Sequence, residues 1–213
     1  MSQTILAITE QVDGLFKHIS FEMVTAAKKI AEQTGGTLTA AVMGAGVEAI
    51  AAQTADYGAQ RILVAEHEGL KDGLADACIQ AAAQLIAACD PSVIVIGATA
   101  MGKDIAARLS ARLNAPLAMD CVDVRVEGDL IVATRPMYGG KVLADVSLSG
   151  SPAIVAIRPR AMEAVAAQAE CQIRMSPDGS IFYAVWNEAG EETCDVMFRR
   201  IIPSGMSIES TIN

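Results

Sequence analysis

The segment Gly97-Ala98-Thr99-Ala100-Met101-Gly102-Lys103-Asp104 gathers residue types that hold anions. Its two glycines let backbone approach a ligand, Thr99 offers a hydroxyl and Lys103 a charge. A helix starting there would add unpaired N–H groups. A nucleotide phosphate is the ligand such a loop would take, with Gly97, Thr99, Gly102 and Lys103 as its contacts. Asp104 stands where the G-x-x-x-x-G-K-[ST] loop has its magnesium-binding Ser or Thr, which argues against an NTP hydrolase. The same residues also suit a tight strand-to-helix turn, in which Asp104 favours the helix start and pairs with Arg108 at i+4. Both readings stay open.

Other candidates are weaker. Gly44-Ala45-Gly46 lacks the third glycine of a dinucleotide fingerprint and follows the second strand rather than the first. His18 and His67 lie in polar stretches without partners that would complete a metal site, and read as solvated. Cys78, Cys89, Cys121, Cys171 and Cys194 form no C-x-x-C pair and read as buried free thiols. There is no G-x-S-x-G and no cysteine with a recognisable His partner, so nucleophilic catalysis has no support. Arg135-Pro136-Met137-Tyr138-Gly139-Gly140-Lys141 places a cation, an aromatic and a glycine pair at a strand end. As structure it is a wide connection; as function, an exposed docking or cofactor-facing loop.

The elements that must position these residues alternate. Apolar runs at residues 4–9, 37–43, 61–65 and 92–96 read as strands, and 153–157 as a further strand of the same sheet. Between them, Ile19, Met23, Ala26, Ala27 and Ile30 mark a first helix, and residues 48–55 a short second one. Leu74, Cys78, Ala81, Leu85 and Cys89 mark a third, ended by Asp90-Pro91, and Ile105, Leu109 and Leu113 a fourth. Strands that are apolar throughout imply a parallel sheet covered on both faces. The expected fold class is therefore α/β, a three-layer Rossmann-like sheet (adenine nucleotide alpha hydrolase-like) with an antiparallel extension. That extension comprises strands at 121–126, 130–134 and 141–148 around the Glu127-Gly128-Asp129 turn. In such a sheet ligands bind beyond the strand carboxyl ends, so residues 9–10, 43–46 and 97–104 are the loops to inspect.

Composition narrows the partners. Hydrophobic residues make up 52% of the 213 and aromatics only 4%, so the core must be close-packed Ala, Val, Ile, Leu and Met. Sixteen basic against 25 acidic residues give −9, with no Lys/Arg cluster, which argues against nucleic acid or anionic membrane as partner. No apolar run is long enough to span a bilayer, and the first residues carry neither a basic start nor a small-residue cleavage pattern. The chain reads as cytoplasmic. Residues 1–165 read as one α/β domain and 166–213 as an acidic tail, in which Ser176-Pro177-Asp178-Gly179-Ser180 signals a β-hairpin. Residues 203–213 read as a loose end.

Taken in order, the 97–104 segment with Arg108-Leu109, the 135–141 segment and Ile157-Arg158-Pro159 resemble the N-terminal domain of the electron transfer flavoprotein α subunit. The opening Ile5-Leu6-Ala7-Ile8-Thr9-Glu10 fits as well, and the resemblance covers about residues 3–165. It implies a non-enzymatic electron carrier component that docks a β subunit and flanks FAD. In that family FAD is held in the complete α–β assembly, which often also holds AMP. Arg135, Tyr138, Gly139 and Lys141 would face the partner. Residues 161–213 do not resemble the family's glycine-rich flavin domain, so tightly bound flavin is not expected of this chain alone, and a homodimer through the same edges is the expected substitute for a missing partner. The resemblance then implies a truncated α subunit or a stand-alone relative. A stand-alone adenine-nucleotide-binding or sensing protein of this fold is the alternative, and a nucleotide-dependent ligase or hydrolase ranks last because no base, nucleophile or metal cluster can be named.

Overall fold

The computed structural model describes residues 3–71 and 73–166, and the backbone of 172–175 and 182–185. The chain opens with β1 (Thr4–Ile8), a two-strand ribbon β2 (Gln11–Val12) and β3 (Leu15–Phe16), and α1 (His18–Thr34). β4 (Thr37–Gly44), α2 (Glu48–Ala51), β5 (Arg61–Glu66), α3 (Ala75–Cys89), β6 (Val93–Gly97), α4 (Ala100–Leu113) and β7 (Leu117–Cys121) follow. Next come β8 (Asp123–Glu127), β9 (Leu130–Met137), β10 (Val142–Leu148) and β11 (Ala153–Ile157).

Six strands form one parallel sheet in the order β5-β4-β1-β6-β11-β7. Successive residues of each central strand point to opposite faces, so an apolar run supplies two cores at once. Ile5, Ala7, Val93, Val95, Ala153, Val155 and Ile157 pack against α1 and the inner side of the antiparallel sheet β10-β9-β8. Leu6, Ile8, Ile94, Ile96, Ile154 and Ala156 pack against α3 and α4. This is the expected three-layer Rossmann-like architecture with its antiparallel extension. Alanine makes the layers close: Ala26 and Ala27 of α1 and Ala153 and Ala156 of β11 are fully buried.

Several local expectations change. The sheet has a sixth strand, β7, and residues 121–126 are not one strand: Cys121 ends β7, and Val122 then donates to the Thr134 carbonyl (2.8 Å) to begin the antiparallel sheet. An aspartate directly before a buried cysteine hid the apolar pattern of β7, where Asp120 adopts positive φ (64°) beside a register shift against β11. The buried side of α3 is Cys78, Ile79, Ala82, Ile86 and Cys89, while Leu74 is exposed; in an alanine-rich helix two adjacent stripes fit the spacing, and the isoleucines decide. α2 ends at Ala51 and continues as a 3₁₀ turn (Ala52–Tyr57).

The segment expected to be a wide connection at 135–141 is tight. β9 runs through Met137 and meets β10 across the turn Tyr138–Gly140. Pro136 is tolerated because pairing with β8 stops at Thr134, leaving that side of β9 without a ladder partner.

Contacts divide the chain into two compact units, Met1–Ala167 and Gln168–Asn213. In the second, β12 (Gln172–Met175) pairs antiparallel with β13 (Phe182–Val185). The turn expected at 176–180, the loose end at 203–213, Cys171 and Cys194 lie outside the described residues. Among the described residues no helix is long and apolar enough to cross a membrane.

Candidate functional site at the carboxyl edge of the sheet

The chain moves from β1 outward to β4 and β5 on one side, while β6 lies on the other. The topological switch point therefore falls between β1 and β6, whose following residues are Thr9-Glu10 and Ala98-Thr99. The structure brings these two loops into contact. Thr99 Oγ1 donates to Glu10 Oε1 at 2.6 Å, and the same hydroxyl accepts from the Gly102 N–H at 3.0 Å, capping α4. Lys17 Nζ reaches the other carboxylate oxygen at 3.2 Å. Ser20 fixes the Glu10 backbone, accepting from its N–H (2.8 Å) and donating to its carbonyl (2.6 Å).

Glu10 is 4% exposed and sits in a hollow that only glycines allow. A Cβ on Gly97 would lie 3.3 Å from Glu10 Oε1, and one on Gly102 2.9 Å from it while overlapping the Gly97 carbonyl. The carboxylate thus occupies the position beside the first turn of α4 where the dipole favours negative charge. Asp104 pairs with Arg108 at 2.9 Å on the exposed side of α4. Of the four residues expected to contact phosphate, Gly97, Thr99 and Gly102 come together around Glu10, whereas Lys103 points elsewhere.

Lys103 Nζ lies 3.9 Å from Asp120 Oδ1. Arg158, directly after β11, grips the same carboxylate with a fork, Nη2 to Oδ2 at 2.6 Å and Nε to Oδ1 at 3.2 Å. The hydrogen bond from Arg158, with the charges of Arg158, Lys103 and Arg135, holds the Asp120 carboxyl below the usual carboxylate range although partial burial opposes it. Asp120 is not among the residues singled out from the sequence, where its one signal is a lone acid within an apolar run.

A cleft of about 610 Å³ opens nearby, lined by Lys17, His18, Ile19, Glu22, Thr99, Pro159 and Arg160. Glu22 is buried, with Oε1 2.9 Å from His18 Nδ1 and Oε2 accepting from the Arg160 N–H at 2.7 Å. The imidazoles of His18 and His67 are exposed as expected, and among the described residues no group of three metal-ligating side chains forms. Cys78, Cys89 and Cys121 are buried free thiols; burial pushes all three up, Cys121 to about 12.

The interface candidates split by environment. Tyr138, Gly139 and Lys141 are exposed at the turn, and Tyr138 and Gly139 both have positive φ. Arg135 is half-buried, and its Nε is enclosed without a hydrogen-bond partner. On the outer side of this sheet Arg125 pins three strands, bonding Asp145 (2.8 Å), Glu127 (2.7 Å) and Thr134 (3.2 Å).

Residues 5–176 match the family described as the electron transfer flavoprotein domain. The chain is 36% identical to the electron transfer flavoprotein subunit alpha of Bacillus subtilis (strain 168), over 77% of this chain and 50% of that protein. It is 33% identical to the protein FixB of Clostridium saccharobutylicum, over 76% and 49%. To the acryloyl-CoA reductase electron transfer subunit beta of Anaerotignum propionicum it is 28% identical, over 75% and 50%. The chain spans about half the length of these relatives. The match covers the parallel sheet, the turn around Glu10 and the antiparallel extension alike, so this chain belongs to the electron transfer flavoprotein family.

Proposed function

We propose that the chain serves as an α-subunit-type scaffold in an electron carrier, docking a β subunit through the end of the antiparallel sheet and flanking FAD in the complete assembly. The observation that carries this reading is the apolar character of that end. Tyr138 in the turn is 77% exposed and Leu143 on the edge strand β10 is 65% exposed, with Met137 at the end of β9 and Val142 at the start of β10 also exposed. An unpaired edge with exposed aromatic and aliphatic groups invites another chain. Arg135, Tyr138, Gly139 and Lys141 are the proposed contacts, and without a β subunit the same edge supports a homodimer.

The described residues do not by themselves fit FAD. The glycine hollow that would receive a phosphate holds the Glu10 carboxylate, hydrogen-bonded to Thr99. The same observation weighs against the alternative, a stand-alone adenine-nucleotide-binding or sensing protein using Gly97, Thr99, Gly102 and Lys103. AMP, if the assembly holds it, belongs on this reading to the partner.

The test is co-purification of the full chain with a candidate β subunit. Alone it should be colourless, and the mixture should retain flavin absorbance through gel filtration. Tyr138→Asp with Leu143→Lys should abolish both co-elution and concentration-dependent self-association in light scattering. Stoichiometric flavin on the chain alone, or complex formation unaffected by the double substitution, would sink the proposal.

A further inference from the structure

The geometry points to a phosphate-binding site formed by Lys103, Arg135 and Arg158 around Asp120, separate from the glycine turn. Lys103 and Arg158 both pair with the Asp120 carboxylate, and Arg135 is near enough for its charge to act on it, leaving a local surplus of two positive charges in a chain whose net charge is −9. Two of the cations have bonding capacity to spare. Lys103 Nζ stands 3.9 Å from Asp120, beyond hydrogen-bond reach, and Arg135 makes no ion pair among the described residues while its enclosed Nε lacks a partner. Arg158 is already oriented, because Asp120 holds one edge of its guanidinium. An oriented guanidinium loses less freedom when it binds an anion.

Placement supports a ligand. Asp120 lies near the carboxyl end of β7, Arg158 directly follows β11, and Lys103 lies in the first turn of the helix after β6. These are three adjacent parallel strands, and ligands of open α/β sheets gather beyond their carboxyl ends. Arg135 arrives from the antiparallel sheet, which leaves the main sheet at Val122, beside Asp120. Lys103 and Arg158 have side chains 46% and 43% exposed, so an anion reaches them from solvent.

A phosphate dianion matches the surplus of two, whereas a single carboxylate would leave one charge uncompensated. Its acceptor oxygens also match the paired N–H donors of the planar guanidinium forks. The inference does not rest on docking of a β subunit: it concerns a different set of atoms, with only Arg135 shared.

Thermal unfolding of the full chain in inorganic phosphate, with sodium chloride and sodium acetate at matched ionic strength, tests it. Near-saturating phosphate should raise the Tm by at least about 2 °C over both controls, since binding to the folded state alone stabilises it. Lys103→Ala, at an exposed position, should fold normally and lose most of that shift, and Arg158→Lys should lose it while keeping the charge. Phosphorus NMR line broadening on the parent, absent in Lys103→Ala, provides a readout independent of unfolding. AMP separates the sources: a larger shift than inorganic phosphate identifies a nucleotide, and an equal one identifies phosphate alone. No shift, an equal shift with acetate, or an undiminished shift in Lys103→Ala would overturn the proposal.

Discussion

The carboxylate of Glu10 and the hydroxyl of Thr99 meet at 2.6 Å across the switch point of the sheet, tying the second residue after β1 to the cap of α4. One hydrogen bond thereby joins the two loops that frame the ligand crevice in folds of this class.

Glu10→Ala should remove that tie and leave Thr99 and Lys17 without their shared acceptor. The expected cost is about 1–3 kcal/mol, the range for stranding buried polar groups. Glu10→Gln keeps an acceptor for Thr99 and should cost less. Urea unfolding of the three proteins checks the order.

Gly102→Ala should be among the most damaging single-methyl additions, because the new carbon would overlap the Gly97 carbonyl within a rigid strand-to-helix turn. A loss of about 1–3 kcal/mol or more is expected from overpacking. Gly46→Ala meets no atom within 4 Å and suffers only from its φ of 68°, so about 1 kcal/mol is expected. Equal midpoints for the two variants in urea would contradict the close approach at Gly102.

These two residues show what sequence could and could not reveal. The glycine, threonine and lysine types suggest a phosphate contact at residues 97–103; in the structure the glycines and Thr99 enclose the Glu10 side chain, while Lys103 turns to Asp120. Glu10 is separated from Thr99 by 89 positions, and only the adjacency of β1 and β6 joins them. The central strands were legible because β6 and β11 carry no polar side chain and β1 and β4 carry only threonine. β7 was not, since its edge position and register shift admit Met119 and Asp120 on partly exposed sites.

Asp120→Asn should flatten the acid limb of stability. The native carboxyl is held below its ordinary value, so its contribution is fully present above about pH 5 and is lost as pH falls through the depressed folded pKa. Parent and variant should differ by about 1 kcal/mol at pH 7, the scale of a partly exposed pair. They should converge toward pH 2 in urea titrations, and a constant gap would contradict the assigned role of the carboxylate.

In a Cys171→Ser, Cys194→Ser background, the native protein should react with no more than a trace of a thiol reagent at pH 8. Burial raises the remaining thiols, Cys121 to about 12, so little thiolate is available. Denaturation should release three equivalents, for Cys78, Cys89 and Cys121. Rapid native modification of Cys121 would contradict its packing.

The position of β11 between β6 and β7 has a consequence during synthesis. The strand that fills this place, Ala153–Ile157, leaves the ribosome only after both neighbours and the whole antiparallel excursion. Until then β6 and β7 cannot hydrogen-bond each other across the vacant lane, and the nascent chain carries two open apolar edges that hold for as long as residues 122–152 take to translate. Such edges are where newly made chains stick to one another or recruit chaperones. The last of the six strands to be made is therefore an interior strand, flanked on both sides by strands made before it.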